Sequence, residues 1–398
     1  MNGPIYLDHA ATTPVDPRVL EAMLPYFSTD YGNPSSVHHF GRQAEKGLEH
    51  ARRSVAGVLN CAPDEIIFTG CGSESDNLAV RGGALAAREQ RGANHIVTTP
   101  IEHPAVLATA RQLRDHFGFE LTELPVDHEG RVNPDDVARA LRPDTALVSV
   151  MYANNEIGTV EPVAEIAAVC RERGVPFHTD AVQAASQLDV DVQKLGVSTM
   201  AIGAHKFYGP KGVGALYIRK GSPLLPTQTG GSHEHGLRAG TQNVPYVVGL
   251  AEALKITVAE RETPSGNAKF RALRERIIEG VLNAIPDSAL TGHRTARLPN
   301  HASFVFKGID GNELLMHLDL AGIAASSGSA CKTGDPTPSE VLLALGLTPE
   351  WALGSLRLTV GRQTTGAHVD RLLEALPGIV KKMRDFQRMP AAADERRM

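Results

Sequence analysis

Two residues, Asp180 and Lys206, carry the clearest chemical signal in this chain. Asp180 follows an apolar run, Gly174 to His178, that reads as a buried strand. Lys206 follows a second such run, Thr199 to Gly203, and precedes a glycine-rich turn, Gly209 to Gly214, where side chains would not crowd a ligand. Taken singly, each has an ordinary explanation, since most lysines are solvated charges and most aspartates at strand ends cap a turn. A carboxylate and an amine at the ends of neighbouring strands nevertheless suit one chemistry well. Pyridoxal phosphate needs a lysine to hold its aldehyde covalently and an acid to keep its ring nitrogen protonated, so that the ring can withdraw electrons from a carbanion.

Several other polar residues fall where they would serve such a site. Ile66 to Thr69 reads as a short buried strand, and Gly70, Cys71, Gly72, Ser73, Glu74 and Ser75 lead into a helix expected from about Asp76 to Arg88. A small-residue turn at a helix start offers unpaired N–H groups and the positive end of the helix dipole to a phosphate. Its spacing is neither a Walker loop nor G-x-G-x-x-G, which removes support for ATP and NAD. His103, beside Pro104, reads either as a helix-end histidine or as an imidazole stacked on a pyridine ring. Asn155, within Asn154 to Gly158, reads either as a turn residue or as an amide donor to the cofactor's phenolic oxygen. His233 and His235 lack partners at metal-ligand spacing. The four cysteines are too scattered for a zinc site or a disulfide framework; Cys170 fits a helical apolar pattern, whereas Cys331 lies in the loop-like run Ser326 to Pro336.

The elements that must position these residues alternate strand with helix from Ile66 to Gly203. That alternation predicts an α/β fold, a mostly parallel sheet between helices, with ligands beyond the carboxyl ends of the strands. From Ala268 the pattern changes to a smaller α+β unit, and the helix expected over Val244 to Arg261 stands between the two. The polar tail Met389 to Met398 is expected to fray. At 398 residues and 42% hydrophobic content there is ample material for a core. Forty basic against forty-five acidic residues leave a net charge of −5 with no basic track, so nucleic acid is not an expected partner. No leader or spanning run is apparent, and the expected location is cytoplasmic, away from membranes.

The combination Y-L-D-H-A-A-T-T-P (Tyr6 to Pro14), E-S-D-N (Glu74 to Asn77), N-N-E-I-G (Asn154 to Gly158), H-K-F-Y-G-P-K-G (His205 to Gly212), S-S-G-S-A-C (Ser326 to Cys331) and R-L-T-V-G-R (Arg357 to Arg362) resembles the class V aminotransferase-like PLP enzymes. In particular it is similar to the cysteine desulfurases of iron–sulfur cluster biogenesis, over nearly the whole chain. That resemblance implies an aminotransferase-type large domain with a seven-stranded sheet over residues 15–260. It also implies a small domain, residues 1–14 plus 261–398, carrying the cysteine loop.

By the same resemblance, Lys206 bonds the cofactor, Asp180 pairs its ring nitrogen, His103 stacks on the ring, and Asn155 and Gln183 address the phenolic oxygen. Gly72, Ser73 and His205 match the phosphate cup. Gly203 occupies a cup position where a serine hydroxyl is usual, and Cys71 stands where glycine is common, so fewer or rearranged phosphate contacts are expected. Thr241 matches a residue that reaches the partner subunit's phosphate, which implies a homodimer. Arg357, helped by Asn155 and Asn33, matches the grip on the substrate carboxylate. The implied reaction removes sulfur from L-cysteine: Lys206 takes the Cα proton, Cys331 attacks as a thiolate and keeps a persulfide, alanine leaves, and the sulfur passes to an iron–sulfur scaffold or other acceptor. Gly328 and Gly334 suit the required swing, although the run from Lys332 to Thr337 differs from the usual serine-rich loop. No resident metal is implied, Cys331 being at most a transient iron–sulfur ligand. Competing readings are a selenocysteine lyase or an aminotransferase on the same frame, or a non-catalytic partner that presents sulfur.

Overall fold

Seven strands of four or five residues each assemble into one sheet, and their order places the polar strand ends side by side. Across the sheet they run Ile66–Thr69, Gly214–Ile218, Thr199–Gly203, Phe177–Asp180, Thr145–Ser149, His95–Thr98 and Glu120–Glu123. Gly214–Ile218 is antiparallel to both neighbours, and the remaining pairings are parallel. Six of the strands are buried along their whole length, as sheets covered on both faces require. This is the expected α/β architecture. The computed structural model describes residues 3–263, 265–327 and 337–388.

The covering helices show the spacing that burial demands. In the His39–Leu59 helix the buried positions include Ala44, Leu48, Ala51, Val55 and Leu59, one face of a 3.6-residue period. It packs with the Val244–Arg261 helix, whose Val247, Leu250 and Leu254 join the same core. That helix starts at Asn243, whose side chain accepts the Tyr246 N–H. Close approach there depends on Gly249, because a Cβ at this position would lie 2.6 Å from Met23 Sδ.

A second core gathers residues from both ends of the chain. Ile5 and Leu7 pack with Phe304, Phe306, Leu356, Leu358 and the apolar face of the Gly366–Arg388 helix, including Val369, Leu372, Leu376 and Val380. Here Ser355–Thr359, His301–Phe306 and Ser288–Leu290 form an antiparallel sheet, while Ile5–Tyr6 pairs in parallel with Ile323–Ala324. A two-residue strand with two flanking backbone bonds, Ile5 N–H to Gly322 O and Leu7 N–H to Ala324 O, would be marginal by itself at ~1 kcal/mol per bond. Full burial of Ile5 and Leu7, at ~1.5–3 kcal/mol each, contributes more and fixes the N-terminal segment against the C-terminal unit.

The elements depart from the sequence pattern in instructive places. The strand expected over Gly174 to His178 is observed at Phe177–Asp180, so Asp180 closes the strand instead of following it. Gly174 is spent in a left-handed turn, φ 66°, just beyond the Val163–Glu172 helix, and Pro176 has no N–H to donate. The helix expected from Asp76 begins at Gly72 and runs through a π-helical stretch, Leu78–Gly82, into Gly83–Arg91. The Gly366–Arg388 helix lies beyond the elements expected above, although Val369, Leu372, Leu376 and Val380 repeat at helical spacing, and it continues through Pro377.

Candidate active site

The carboxyl ends of the parallel strands open onto a cleft of about 200 Å³. It is lined by Gly72, Ser73, His103, Asn155, Asp180, Gln183, His205, Lys206 and Arg357, all named from the sequence, together with Ala10, Ala11, Cys71, Asp76, Met151 and Val182. Asp180 and Lys206 come together because their strands are register neighbours, Asp180 opposite Ala201. Beyond Gly203 the chain turns through a short 3-10 segment, Ala204–Lys206, and Tyr208 adopts φ 65°, a left-handed conformation costly for a bulky residue. The N-terminal segment holds that turn: Thr13 Oγ1 donates to His205 O and accepts the Tyr208 N–H at 2.7 Å. Arg362 lies over the Tyr208 ring, 3.8 Å from its centroid.

Lys206 Nζ donates to Ala10 O at 2.6 Å and to Ala11 O at 2.8 Å. Burial, reinforced by the Arg357 charge and opposed by Asp180 and Asp8, pushes its pKa down to about 8. Asp180 is buried, its Oδ1 accepting the Val182 N–H at 2.8 Å, and burial raises its pKa. His103 caps the Pro104–Phe117 helix through Nδ1, which accepts the Ala105 N–H; burial lowers its pKa against the pull of Asp180. An accepting Nδ1 puts the neutral ring's proton on Nε2.

Behind Asp180 lies a layer of acids and imidazoles that sequence reasoning missed. His178, on the same strand and face as Asp180, meets Thr199 Oγ1 at 2.9 Å and Asp76 Oδ1 at 3.3 Å. Ligand atoms of Asp76, His103 and Asp180 lie within 4.8 Å of one another. Burial raises Asp76, which Asp180 and Glu102 raise further, and lowers His178 to about 3. Each of these shifts is toward the neutral form. Glu102 belongs to the same group, with Oε1 accepting from Thr99 Oγ1 and Met151 N–H while Oε2 has no partner. Adjacency to His103 was the available signal.

At the other end of the cleft, Gly72 and Ser73 open a helix whose N-cap, Cys71, makes no side-chain cap. A Cβ on Gly72 would lie 2.6 Å from Val182 Cγ2, so the backbone approaches closely there. Gly203 does not itself line the cleft, but a Cβ there would stand 3.5 Å from Gly72 N, in ordinary contact. His205 Nδ1 lies 3.2 Å from Thr12 Oγ1; burial first, then Lys206, pushes its pKa down to about 4.

Arg357 enters from the Ser355–Thr359 strand. Its Nη1 donates to Asn155 O and its Nη2 to Asp8 Oδ1, both at 2.9 Å, and its buried Nε has no partner. The two adjacent asparagines divide their work: Asn154 is buried and spends its side chain on Ile101 O and on the N–H groups of Glu156 and Ile157, leaving Asn155 to face the cleft.

Not every expected residue converges. Asn33 is exposed, its Oδ1 accepting the Ser35 N–H, and Thr241 is exposed; neither lines this cleft. Gln183 does, but its Nε2 donates to Ala10 O at 2.8 Å. Cys331, with Gly328, Gly334 and the run from Lys332 to Pro336, lies outside the described residues, as does the tail from Met389. The His233–His235 segment serves the fold: Glu234 makes a buried two-point ion pair with Arg52 at 2.8 Å, and His233 Nδ1 accepts the Gly240 N–H.

Comparison with known proteins gives this arrangement its relatives. Residues 5–372 match the family model for aminotransferase class-V. The chain is 46% identical over 384 residues to the cysteine desulfurase IscS of Dictyoglomus turgidum, covering 96% of each chain. Among solved structures it is similar to one described as a NifS-like protein, with a TM-score of 0.87 and 38% identity over 95% of this chain and all of the other. Another, described as SspA in complex with cysteine, gives a TM-score of 0.76 and 35% identity over 89% of this chain and 98% of the other. Family match, relatives and strand-end geometry agree: the chain belongs to the aminotransferase class-V family and, within it, to the cysteine desulfurases.

Proposed function

We propose that this cleft holds pyridoxal phosphate and releases sulfur from L-cysteine, with Lys206 and Asp180 as the two ends of the cofactor site. The observation that carries this reading is the pairing of a buried amine, lowered to about 8, with a buried acid on the neighbouring strand. The chain's residues fit the group. The uncapped N–H groups at Gly72 and Ser73 suit a phosphate, and Asp180, whose pKa burial raises, would be stabilised as an anion by a protonated ring nitrogen. When bound, the cofactor supplies an electron sink for a substrate carbanion.

The protein's residues do the rest. Arg357 binds the substrate carboxylate with a planar fork that a lysine would not reproduce. Lys206 Nζ takes the Cα proton, for which a pKa of about 8 near neutral pH is well matched. His103, a neutral imidazole with its proton on Nε2, would lie against the ring and could pass a proton; Asn155 and Gln183 would serve the cofactor's phenolic oxygen, and His205 and Gly203 would belong to the phosphate end. The Cys331 thiolate forms an S–S bond to the substrate sulfur as the C–S bond breaks, the electron pair remaining with Cβ; protonation of Cβ and return of a proton to Cα give alanine. The persulfide sulfur then passes to an acceptor protein such as an iron–sulfur scaffold.

The proposed working unit is a homodimer. Leu20, Leu24, Phe27, Tyr31, Val37 and Phe40 form a run of exposed apolar side chains in the N-terminal part of the chain, larger than isolated surface residues explain. Phe27 touches Tyr246, five residues from Thr241, which supports Thr241 acting across that face in the partner's site and Asn33 doing so from the loop. The proposed domain division is 15–260 against 1–14 plus 261–398; the two largest cores support it, although Leu298 joins the larger one and a smaller cluster of Ile101, Ile157, Val305 and Val341 packs across the division. No helix among the described residues is long and apolar enough to cross a membrane.

Incubation with cysteine, quantification of alanine and mass-spectrometric mapping of added sulfur test the reading. Cys331→Ala is expected to abolish alanine and persulfide formation while the bound cofactor's visible absorbance persists. Unchanged turnover in that variant would reject the desulfurase mechanism and favour another reaction on the same frame.

A further inference from the structure

Asp8 sits just beyond the Ile5–Tyr6 strand, part of a motif whose role in the cleft is not explained by the cofactor site. Its carboxylate is used from both sides. Oδ1 accepts from Arg357 Nη2 and Oδ2 accepts from Ser326 Oγ, each at 2.9 Å. Ser326 and Arg357 are themselves tied by their backbones, Arg357 N–H to Ser326 O at 2.6 Å and Ser326 N–H to Arg357 O at 3.3 Å. On its far side the guanidinium donates to Asn155 O, which also meets His301 Nε2 at 3.1 Å. Two of the three guanidinium nitrogens are thus fixed by separate parts of the fold. An unrestrained arginine loses rotamer freedom when it clamps a ligand, and one already held loses less.

We propose that Asp8 is a positioning residue for substrate recognition, its Oδ1 setting the orientation in which Arg357 meets the carboxylate of the amino-acid substrate while Ser326 holds its Oδ2. The proposal rests on the reading of Arg357 as the carboxylate grip. What matters is the acceptor oxygen, because the charge works in the opposite direction: an anion 2.9 Å from the guanidinium weakens its pull on a second carboxylate. An asparagine would preserve the geometry. Its Oδ1 can accept from Nη2, and its Nδ2–H can donate to Ser326 Oγ, since a hydroxyl accepts as well as donates.

Steady-state kinetics of the holoenzyme with cysteine separate the possibilities. Asp8→Ala is expected to raise KM about tenfold or more with kcat within about threefold, the cofactor's absorbance being unchanged. Asp8→Asn is expected to restore KM to within about threefold of the parent or below it. Arg357→Lys, run in parallel, should also raise KM. A raised KM in Arg357→Lys with an unchanged KM in Asp8→Ala overturns the positioning role alone. An Asp8→Asn variant as impaired as Asp8→Ala overturns the geometric account. An unchanged KM in Arg357→Lys removes the underlying assignment of Arg357 and the proposal with it. If Asp8→Ala does not fold, Ser326→Ala frees Oδ2 without altering charge: a KM rise of about threefold supports the proposal and an unchanged KM overturns it.

Discussion

The two walls of the cleft handle charge in opposite ways. On the wall formed by the seven-stranded sheet, Asp76, Glu102 and Asp180 are buried beside His103 and His178, and burial raises the pKa of the acids and lowers that of the imidazoles. On the wall contributed by the C-terminal unit, the charge is paired instead: Arg357 meets Asp8 at 2.9 Å and also donates to the Asn155 backbone carbonyl. The first arrangement shifts acidities by burial; the second fixes the direction of a cation. A wall that acts on bond making needs shifted acidities, whereas a wall that recognises a carboxylate needs orientation.

That contrast can be broken at its strongest point. Lys206→Ala removes the amine on which the sheet wall converges and should lower kcat for alanine release by ~10³-fold or more, a loss in kcat that Asp8 and Arg357 variants would not share. Borohydride reduction followed by peptide mapping should place a pyridoxyl adduct at position 206 in the parent and none in the variant. An adduct elsewhere would displace the assignment of this wall.

A smaller and more specific effect sharpens the description of the shifted acidities. Burial pushes Glu102 from its ordinary 4.5 up to about 8, so the folded state prefers the neutral acid. The stability this lends is fully present below pH 4.5 and is lost as the pH rises to about 8. Glu102→Gln removes the titration, and the parent should lose stability relative to the variant by ~1.4 kcal/mol per pH unit across that window. Urea midpoints measured at its two ends check this; parallel curves would mean that Glu102 ionises as an exposed carboxyl does.

The smallest expected change lies at the phosphate end. Gly203 has extended backbone, φ −135°, and a Cβ there meets nothing nearer than 3.4 Å, so serine fits without strain. Gly203→Ser should add one hydroxyl contact to an anion, at ~1.5 kcal/mol or about tenfold in cofactor affinity, read by fluorescence titration of the apoprotein. No gain would place the phosphate away from Gly203.

How far the sequence reached depended on the distance over which each feature was built. The alternation of strands and helices, and the placing of His103, Asn155, Asp180 and Lys206 at strand ends, were legible because each rests on a local apolar run and on the rule that ligands sit beyond the carboxyl ends. The strand before Asp180 ends two residues later than its apolar run suggests, without consequence for the site, since a period of two keeps His178 and Asp180 on the same face. The start of the Gly72 helix was obscured because glycine and serine have low helix propensity and serve here for close backbone approach instead.

The order of residue types determined the α/β class, the identity of the amine and the acid, and a small-residue helix start suited to phosphate. Tertiary structure alone decided that Asp8 and Arg357, 349 positions apart, share a hydrogen bond, that Asp76 lies beside Asp180, and that Asn33 and Thr241 stay outside this cleft. The physical reason is common to all three. Periodicity reports which face of an element is buried, whereas a contact between distant side chains exists only once the cores have packed and fixed the elements that carry them.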